Sequence, residues 1–271
     1  MKQSDYTVSV KNGVGIVFSN GLEVAHGYTT RLGGVSQPPF DALNLGWNRD
    51  EPKENIRRNY ELLCDAFGLA INSLVLVNYK HGTNVLAVDK RYCGSGIISK
   101  PLPECDGLVT NDESVVLATL HADCACLFVY DSAARCIGIA HAGWRGIFGR
   151  IGAKLVEKMA EQYDSKAHNV KVAISPCICE NCYEVDRSLA FEFEKEFRRN
   201  DVSLPHTNPE KAYLNLRLAA ELQFLDCGIL RENIYHISCC TYENEELFYS
   251  YRRDDKKAGA SAGFITLRRN T

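Results

Sequence analysis

Two imidazoles and one thiolate, far apart in the chain and each at the edge of an apolar run, constrain this sequence more than any other feature. They lie in Lys80-His81-Gly82, His121-Ala122-Asp123-Cys124 and His141-Ala142-Gly143-Trp144-Arg145-Gly146. Each run falls where a strand is expected to end or restart. Ends of neighbouring strands are places where side chains distant in sequence can meet. If His81, Cys124 and His141 converge, they suit Zn²⁺ and leave its fourth coordination position open, as a catalytic metal requires and a structural one does not. Read as isolated strand-end residues, they are unrelated, and Cys124 packs as a small hydrophobe. His121, three residues before Cys124, competes with His81 for the ligand role, and spacing does not separate the two.

Composition narrows the classes. The chain has 271 residues, 45% hydrophobic and 24% charged, enough for a substantial core in one domain spanning residues 1–271. A formal net charge of -3, with no basic stripe interleaved with aromatics, argues against nucleic acid. The longest apolar stretch, Val115 to Tyr130, contains His121, Asp123 and Cys124 and is too short and polar to span a bilayer. The start, Met1 to Asp5, lacks the apolar region of a signal peptide, so the expected location is the cytoplasm. The 12 cysteines are then expected to be reduced.

The pattern predicts an α+β protein with a mixed or antiparallel sheet core flanked by helices. Asn12-Gly13 and Asn20-Gly21 read as positive-φ turns around the strand Val14–Phe18, followed by a strand from Leu22 to Tyr28. A helix is expected from Glu51 to Phe67, N-capped by Asp50 and closed by Gly68. Strands are expected at Leu74–Tyr79, Val115–Leu120, Cys124–Tyr130, Cys136–Ala140 and Val170–Ile174. One helix should follow over Ile147 to Gln162, with others near Asp186–Phe197 and Asn215–Asp226. Short strands near Tyr235–Cys239 and Phe264–Arg268 finish the chain.

Two further groups carry possible chemistry. Cys177-Ile178-Cys179-Glu180-Asn181-Cys182 has the look of a metal or Fe–S run, but no second CxxC follows to complete it. Cys239 and Cys240 are adjacent, so in a strand they face opposite ways. The expectation is that this run binds no metal. Arg31, before Gly33-Gly34, and Arg145, before a helix start, are candidate anion sites; a solvated surface role is the commoner fate of a single Arg.

With these residues in view, the chain resembles the YfiH-type family, known as laccase-like or polyphenol oxidase-like and as purine nucleoside phosphorylases. The resemblance runs through Thr29-Thr30-Arg31-x-Gly33-Gly34-Val35-Ser36, Phe40 to Gly46, His81-Gly82, Asp106 to Thr110, Ala122-Asp123-Cys124, His141 to Gly146, Cys182-Tyr183-Glu184-Val185 and Ser250 to Asp254. It implies the YfiH fold, akin to that of toxin deamidases. It implies metal ligands at His81, Cys124 and His141, which demotes His121. It also implies phosphorolysis of adenosine, inosine, guanosine and methylthioadenosine, with adenosine deaminase activity. The run Ser175 to Glu180 departs from the family's Gly-Pro-x-Ile-Gly-Pro type, and the C-terminal Thr-Gly-Arg is absent.

On this reading Zn²⁺ (with Cu²⁺ as an alternative) sits on His81, Cys124 and His141, and these three carry the catalysis. Arg31 and Arg145 bind phosphate or the ribose side, Asn44 binds base or sugar, and Asp123 orients His121 or takes a proton. The partners are a nucleoside and phosphate; the oligomeric state is open. A copper polyphenol oxidase is one rival, but seven His with no His-x-His cannot build a trinuclear copper cluster. A metal-free Cys124–His141 hydrolase or amidase acting on cell-wall precursors is another. A metal-buffering protein is a third, and such a protein needs no anion pocket.

Overall fold

The computed structural model describes residues 6–269, so the polar start at Met1–Asp5 lies outside the described residues. Its strands are β1 Tyr6–Lys11, β2 Val14–Ser19, β3 Val24–Thr29, β4 Leu74–Leu76, β5 Val85–Ala87, β6 Gly107–Thr110, β7 Val116–His121, β8 Ala125–Asp131, β9 Cys136–Ala142, β10 Val170–Ile174, β11 Glu184–Asp186, β12 Ser203–Pro205, β13 Lys211–Leu214, β14 Ile234–His236 and β15 Ser261–Arg269. Its α-helices are α1 Lys53–Phe67, α2 Trp144–Phe148, α3 Ile151–Tyr163, α4 Arg187–Phe197, α5 Leu216–Asp226 and α6 Tyr251–Asp254.

Two six-stranded sheets, ordered β1-β2-β3-β15-β7-β4 and β14-β10-β8-β9-β6-β5, dominate the architecture, with a small sheet β11-β13-β12 beside them. Both large sheets are mixed: β4–β7, β5–β6 and β10–β14 pair parallel, the other neighbours antiparallel. The α+β expectation holds. One core joins Val17, Leu117 and Ile265 of the first sheet to Cys126, Phe128 and Ile139 of the second, so the sheets pack face to face. The outer face of the first sheet is covered by Ile56, Tyr60 and Leu63 of α1. The outer face of the second is covered by Leu155 and Met159 of α3 with Phe193 and Phe224 from α4 and α5. Each buried Val, Leu, Ile, Phe or Met among them is worth roughly 1.5–3 kcal/mol.

Strand alternation decides which residues point between the sheets. On β9, Ile137 and Ile139 face the inter-sheet core while Cys136, Ala140 and Ala142 face the helices. His141 shares the parity of Ile137 and Ile139 and ends that inner row. On β7 the inner row is Leu117, Thr119 and His121 by the same rule. Residues 122–124, between β7 and β8, form no hairpin: they carry the chain out of the first sheet and into the second.

Several local expectations change. Asn12-Gly13 takes two positive φ angles, 51° and 83°, and closes the β1–β2 hairpin. Asn20-Gly21 does not, because residues 20–23 form a longer connection in which the Gly21 N–H bonds the Ser19 hydroxyl at 3.1 Å. Helix α1 begins at Lys53, with Pro52 rather than Asp50 as its N-cap, and Gly68 closes it at φ 64°. The strand at Leu74 ends at Leu76, leaving His81 in a loop.

The single helix expected from Ile147 is two. Arg150, at φ 66°, separates α2 from α3 and reaches Glu196 at 2.9 Å and Asp226 at 2.5 Å. The buried side chain of Gln223 fills the break. It donates to the Ile147 carbonyl at 3.0 Å and accepts the Gly152 N–H at 2.8 Å. Gln223→Leu strands both buried backbone groups and is expected to cost about 3 kcal/mol by urea unfolding; an unchanged midpoint would show that the break needs no such bridge.

His26 on β3 provides a pH test. Its Nδ1–H donates to the Val24 carbonyl at 2.8 Å and its Nε2 accepts the Ser19 N–H at 3.1 Å. Burial pushes its pKa down to about 4, partly offset by the Val24 carbonyl. Below pH 6.5 the unfolded chain takes up a proton that the folded chain refuses until about pH 4. Stability is therefore full above pH 6.5 and falls through this window, by about 3 kcal/mol from this group. Urea unfolding of wild type and His26→Gln at pH 7 and pH 4.5 should show a smaller pH loss in the variant.

Candidate metal centre

His81, Cys124 and His141 converge. Their donor atoms all lie within 4.8 Å of one another. His81 comes from the loop after β4, Cys124 from the crossing between the sheets, and His141 from the end of the inner row of β9. His121 does not join them. It stacks on His141 with ring centroids 5.0 Å apart, and Tyr79 stacks on His141 at 4.3 Å.

The His141 tautomer follows from its partner. Nδ1 lies 2.8 Å from the Leu120 carbonyl, which can only accept, so Nδ1 carries the proton. Nε2, on the donor-cluster side, is buried and has no partner among the described residues. A metal-ligating histidine usually has this arrangement, one nitrogen tied to a carbonyl and the other free. Burial and the neighbouring His81 push the His141 imidazole down to about 3, and burial beside Asp123 pushes the Cys124 thiol up to about 12. Burial also lowers His81, with Asp106 opposing and Arg145 reinforcing that shift. The set is neutral near pH 7, and binding a cation would draw the proton from Cys124.

Gly143 keeps the space clear. A Cβ there would lie 2.9 Å from Cys124 Sγ, 3.3 Å from His81 Cδ2 and 3.7 Å from His141 Nε2. The donor chemistry, the orphaned nitrogen and this cradle all fit a metal ion. Gly143→Ala should lower bound metal at least severalfold by elemental analysis while leaving the fold intact by circular dichroism; full occupancy would remove Gly143 from the cradle.

Two buried aspartates hold the donors in place. Asp106 accepts the Lys80 N–H at 3.0 Å, and its carbonyl accepts the His141 N–H at 2.8 Å. It thereby fixes His81, which adopts φ 60°. Asp123, at φ 86°, accepts the Thr241 hydroxyl and the Arg252 N–H, both at 2.7 Å. Its carboxylate makes no hydrogen bond to His121, contrary to one role expected for it. Positive φ in a non-glycine residue is costly and gathers at functional sites.

The other expected site residues fall elsewhere. Asn44 is buried: Nδ2 donates to Glu51 at 2.6 Å, and Oδ1 accepts the Gly46 and Ala260 N–H groups at 3.0 and 2.9 Å. That geometry makes it a loop anchor. Arg31 pairs with Asp41 at 3.3 Å, donates to the Glu245 carbonyl at 3.0 Å and lies over Tyr249. It lines a cleft of about 1060 Å³ whose walls include none of the three donors. Arg145 is exposed over Trp144, and its charge is felt at His81.

Residue patterns missed Tyr79 and Arg49. Tyr79 links His141 to a recess of about 240 Å³ lined also by Trp47, Arg49 and Leu120. The Arg49 Nε there is buried with no partner among the described residues. Nothing in the spacing around either residue marked it.

Known proteins resemble this chain over nearly its whole length. Residues 25–268 match the model of the family described as multi-copper polyphenol oxidoreductase laccase. The chain belongs to that family. It is 34% identical over 251 residues to "Purine nucleoside phosphorylase YlmD" of Bacillus subtilis, covering 92% of this chain and 90% of the relative. It is 31% identical over 240 residues to "Adenosine deaminase RL5" of an unknown prokaryotic organism, covering 87% and 91%. The crystal structure of YlmD from Geobacillus stearothermophilus superposes with a TM-score of 0.91 at 29% identity, covering 98% of this chain and all of that one. The family relatives are thus named as enzymes. No helix among the described residues is long and apolar enough to cross a membrane.

Proposed function

We propose that this protein is a Zn²⁺-dependent purine nucleoside phosphorylase of the cytoplasm, with one catalytic domain over residues 1–271 and adenosine deaminase activity alongside. Its substrates are adenosine, inosine, guanosine and methylthioadenosine, each with phosphate. One observation carries the reading: two histidines and one cysteine meet around a space that Gly143 leaves free. The names of the relatives supply the reaction class.

Three protein donors, against the four of a structural site, leave a coordination position for a reactant. When bound, Zn²⁺ supplies Lewis acidity and a template for a phosphate or water oxygen. Phosphorolysis joins a phosphate oxygen to the ribose anomeric carbon and releases the base. Arg145, exposed beside the centre, holds the phosphate by paired charge-assisted hydrogen bonds. Arg31 offers a second anion contact from its own cleft. Asp123 and Asn44 act by positioning loops, since their oxygens are already in use.

A nucleoside panel run with and without phosphate, read by chromatography, tests this. Free base should appear only with phosphate, and inosine should form from adenosine without it. Cys124→Ala should abolish both. Arg145→Ala should lower phosphorolysis by about tenfold to a hundredfold and deamination much less, the loss expected for one charge-assisted contact. Equal losses would remove the phosphate role. Full activity in chelated protein, blocked by a thiol alkylator, would replace the zinc reading with Cys124 as a nucleophile.

A further inference from the structure

A second group of metal-type donors lies outside the centre described above. Cys179, Cys182, Cys240 and Glu243 bring their three sulfurs and a carboxylate oxygen within 4.8 Å of one another. The sequence offered no second CxxC to complete the run at Cys177–Cys182. The fold supplies the missing half as a Cys-x-x-Glu, from a loop 61 residues away.

Two facing turns build the group. In the first, the Cys182 and Tyr183 N–H groups both bond the Cys179 carbonyl, at 3.1 and 3.0 Å, which places Cys179 and Cys182 on one side. In the second, the Asn244 N–H and its side-chain amide bond the Cys240 carbonyl, at 3.2 and 2.8 Å, and bring Glu243 round beside Cys240. Reciprocal backbone bonds dock the turns: Cys177 N–H to the Cys239 carbonyl at 3.4 Å, and Thr241 N–H to the Cys177 carbonyl at 3.2 Å. Adjacent cysteines facing opposite ways then put Cys240 in the group and leave Cys239 out. Cys177 is out too, its sulfur 3.8 Å from Arg217.

The donor set is closed and soft. The Cys179 N–H bonds Cys240 Sγ at 3.4 Å, the kind of contact that steadies a thiolate ligand. The Cys182 thiol lies 3.6 Å from Glu243 Oε1. Among the described residues Glu243 forms no ion pair, so four groups that gain negative charge on deprotonation crowd together without a cation. Thiolates select Zn²⁺ over Mg²⁺ or Ca²⁺. Tetrahedral Zn²⁺ with Zn–S bonds near 2.3 Å holds its sulfurs about 3.8 Å apart. An iron–sulfur cluster would have to stand between its thiolates and spread them wider than this group is.

We propose that Cys179, Cys182, Cys240 and Glu243 form a second, structural Zn²⁺ site. Four protein ligands leave no open position, so the site does no chemistry of its own. Binding releases the thiol protons to solvent and needs no redox partner. It clamps loop 177–183 to loop 239–244. Both loops frame the first centre: Ile178 N–H bonds the Asp123 carbonyl at 3.0 Å, Thr241 bonds the Asp123 carboxylate, and Tyr183 carries Arg252 over its ring.

Full-length protein isolated with Zn²⁺ and no chelator tests the site. Wild type should hold two zinc ions per chain by elemental analysis, and Cys182→Ser and Cys240→Ser one each. Cys124→Ala, which removes a donor of the first centre, should still hold one. Zinc absent from Cys124→Ala would overturn the second site. Wild type with one zinc that Cys124→Ala retains would instead overturn the first centre and keep the second. A measurement on wild type alone guards against variants that do not fold. Iodoacetamide should modify Cys179 and Cys182 slowly until a chelator is added, then at least tenfold faster by peptide mass spectrometry. Equal rates before and after chelation would overturn the proposal, as would a disulfide among the three cysteines in protein isolated without reductant.

Discussion

The geometry of the His81–Cys124–His141 cluster depends on one buried carboxylate. Asp123 stands where the chain leaves the first sheet and enters the second, at φ 86°, beyond the reach of either strand ladder. Its carboxylate and its carbonyl replace those ladders with bonds to Thr241, Arg252 and Ile178. Three loops are thereby fixed to the residue next to Cys124. A buried carboxylate without such donors would be costly, so the loops and the aspartate hold one another in place. Asp106 does the equivalent work for the two histidines, tying the Lys80–His81 loop and the end of β9 to one residue.

Much of the framework was legible because period-2 and helical patterns report burial directly. The runs at Val14, Val116, Ala125, Cys136 and Val170 became strands, and the stripes of α1, α4 and α5 became helices near their expected bounds. The donor-bearing strand ends were legible for the same reason: an apolar run that stops at His141 marks where the core stops. What the pattern did not carry was which sheet each strand joins. Val116–His121 and Ala125–Asp131 read alike, yet they belong to different sheets, because pairing partners are set by distant sequence.

The misread elements share a cause. The apolar spacing from Ile147 continues across Gly149-Arg150, so it reads as one helix. The break is imposed from outside, by Gln223 bonding both loose ends and by Arg150 reaching two other helices. The partners of Asn44 and Arg31 were hidden too, because a polar residue in a Gly-rich loop carries no sign of them. Those partners, Glu51 and Ala260 for Asn44 and Asp41 and Glu245 for Arg31, lie seven to 216 residues away. The facing half of the Cys179–Cys182 turn is likewise invisible in its neighbourhood, since Cys240 and Glu243 come from a distant loop.

The number of protein donors separates the roles proposed for the two clusters. At the first, three donors and the bare Gly143 leave room for a reactant. At the second, four donors close the shell. Both clusters act on the same stretch of chain. Ile178 and Thr241, each beside a second-cluster turn, are the residues that bond Asp123. A clamp on those turns limits how far Asp123 can move, and Cys124 follows Asp123 directly in the chain. Preorganisation of this kind matters most where a ligand sits on a crossing between sheets, since no strand ladder there restrains the backbone. Three of the chain's twelve cysteines, Cys179, Cys182 and Cys240, then have a specific use: they hold the walls of a site whose own donor set includes only one thiol, Cys124.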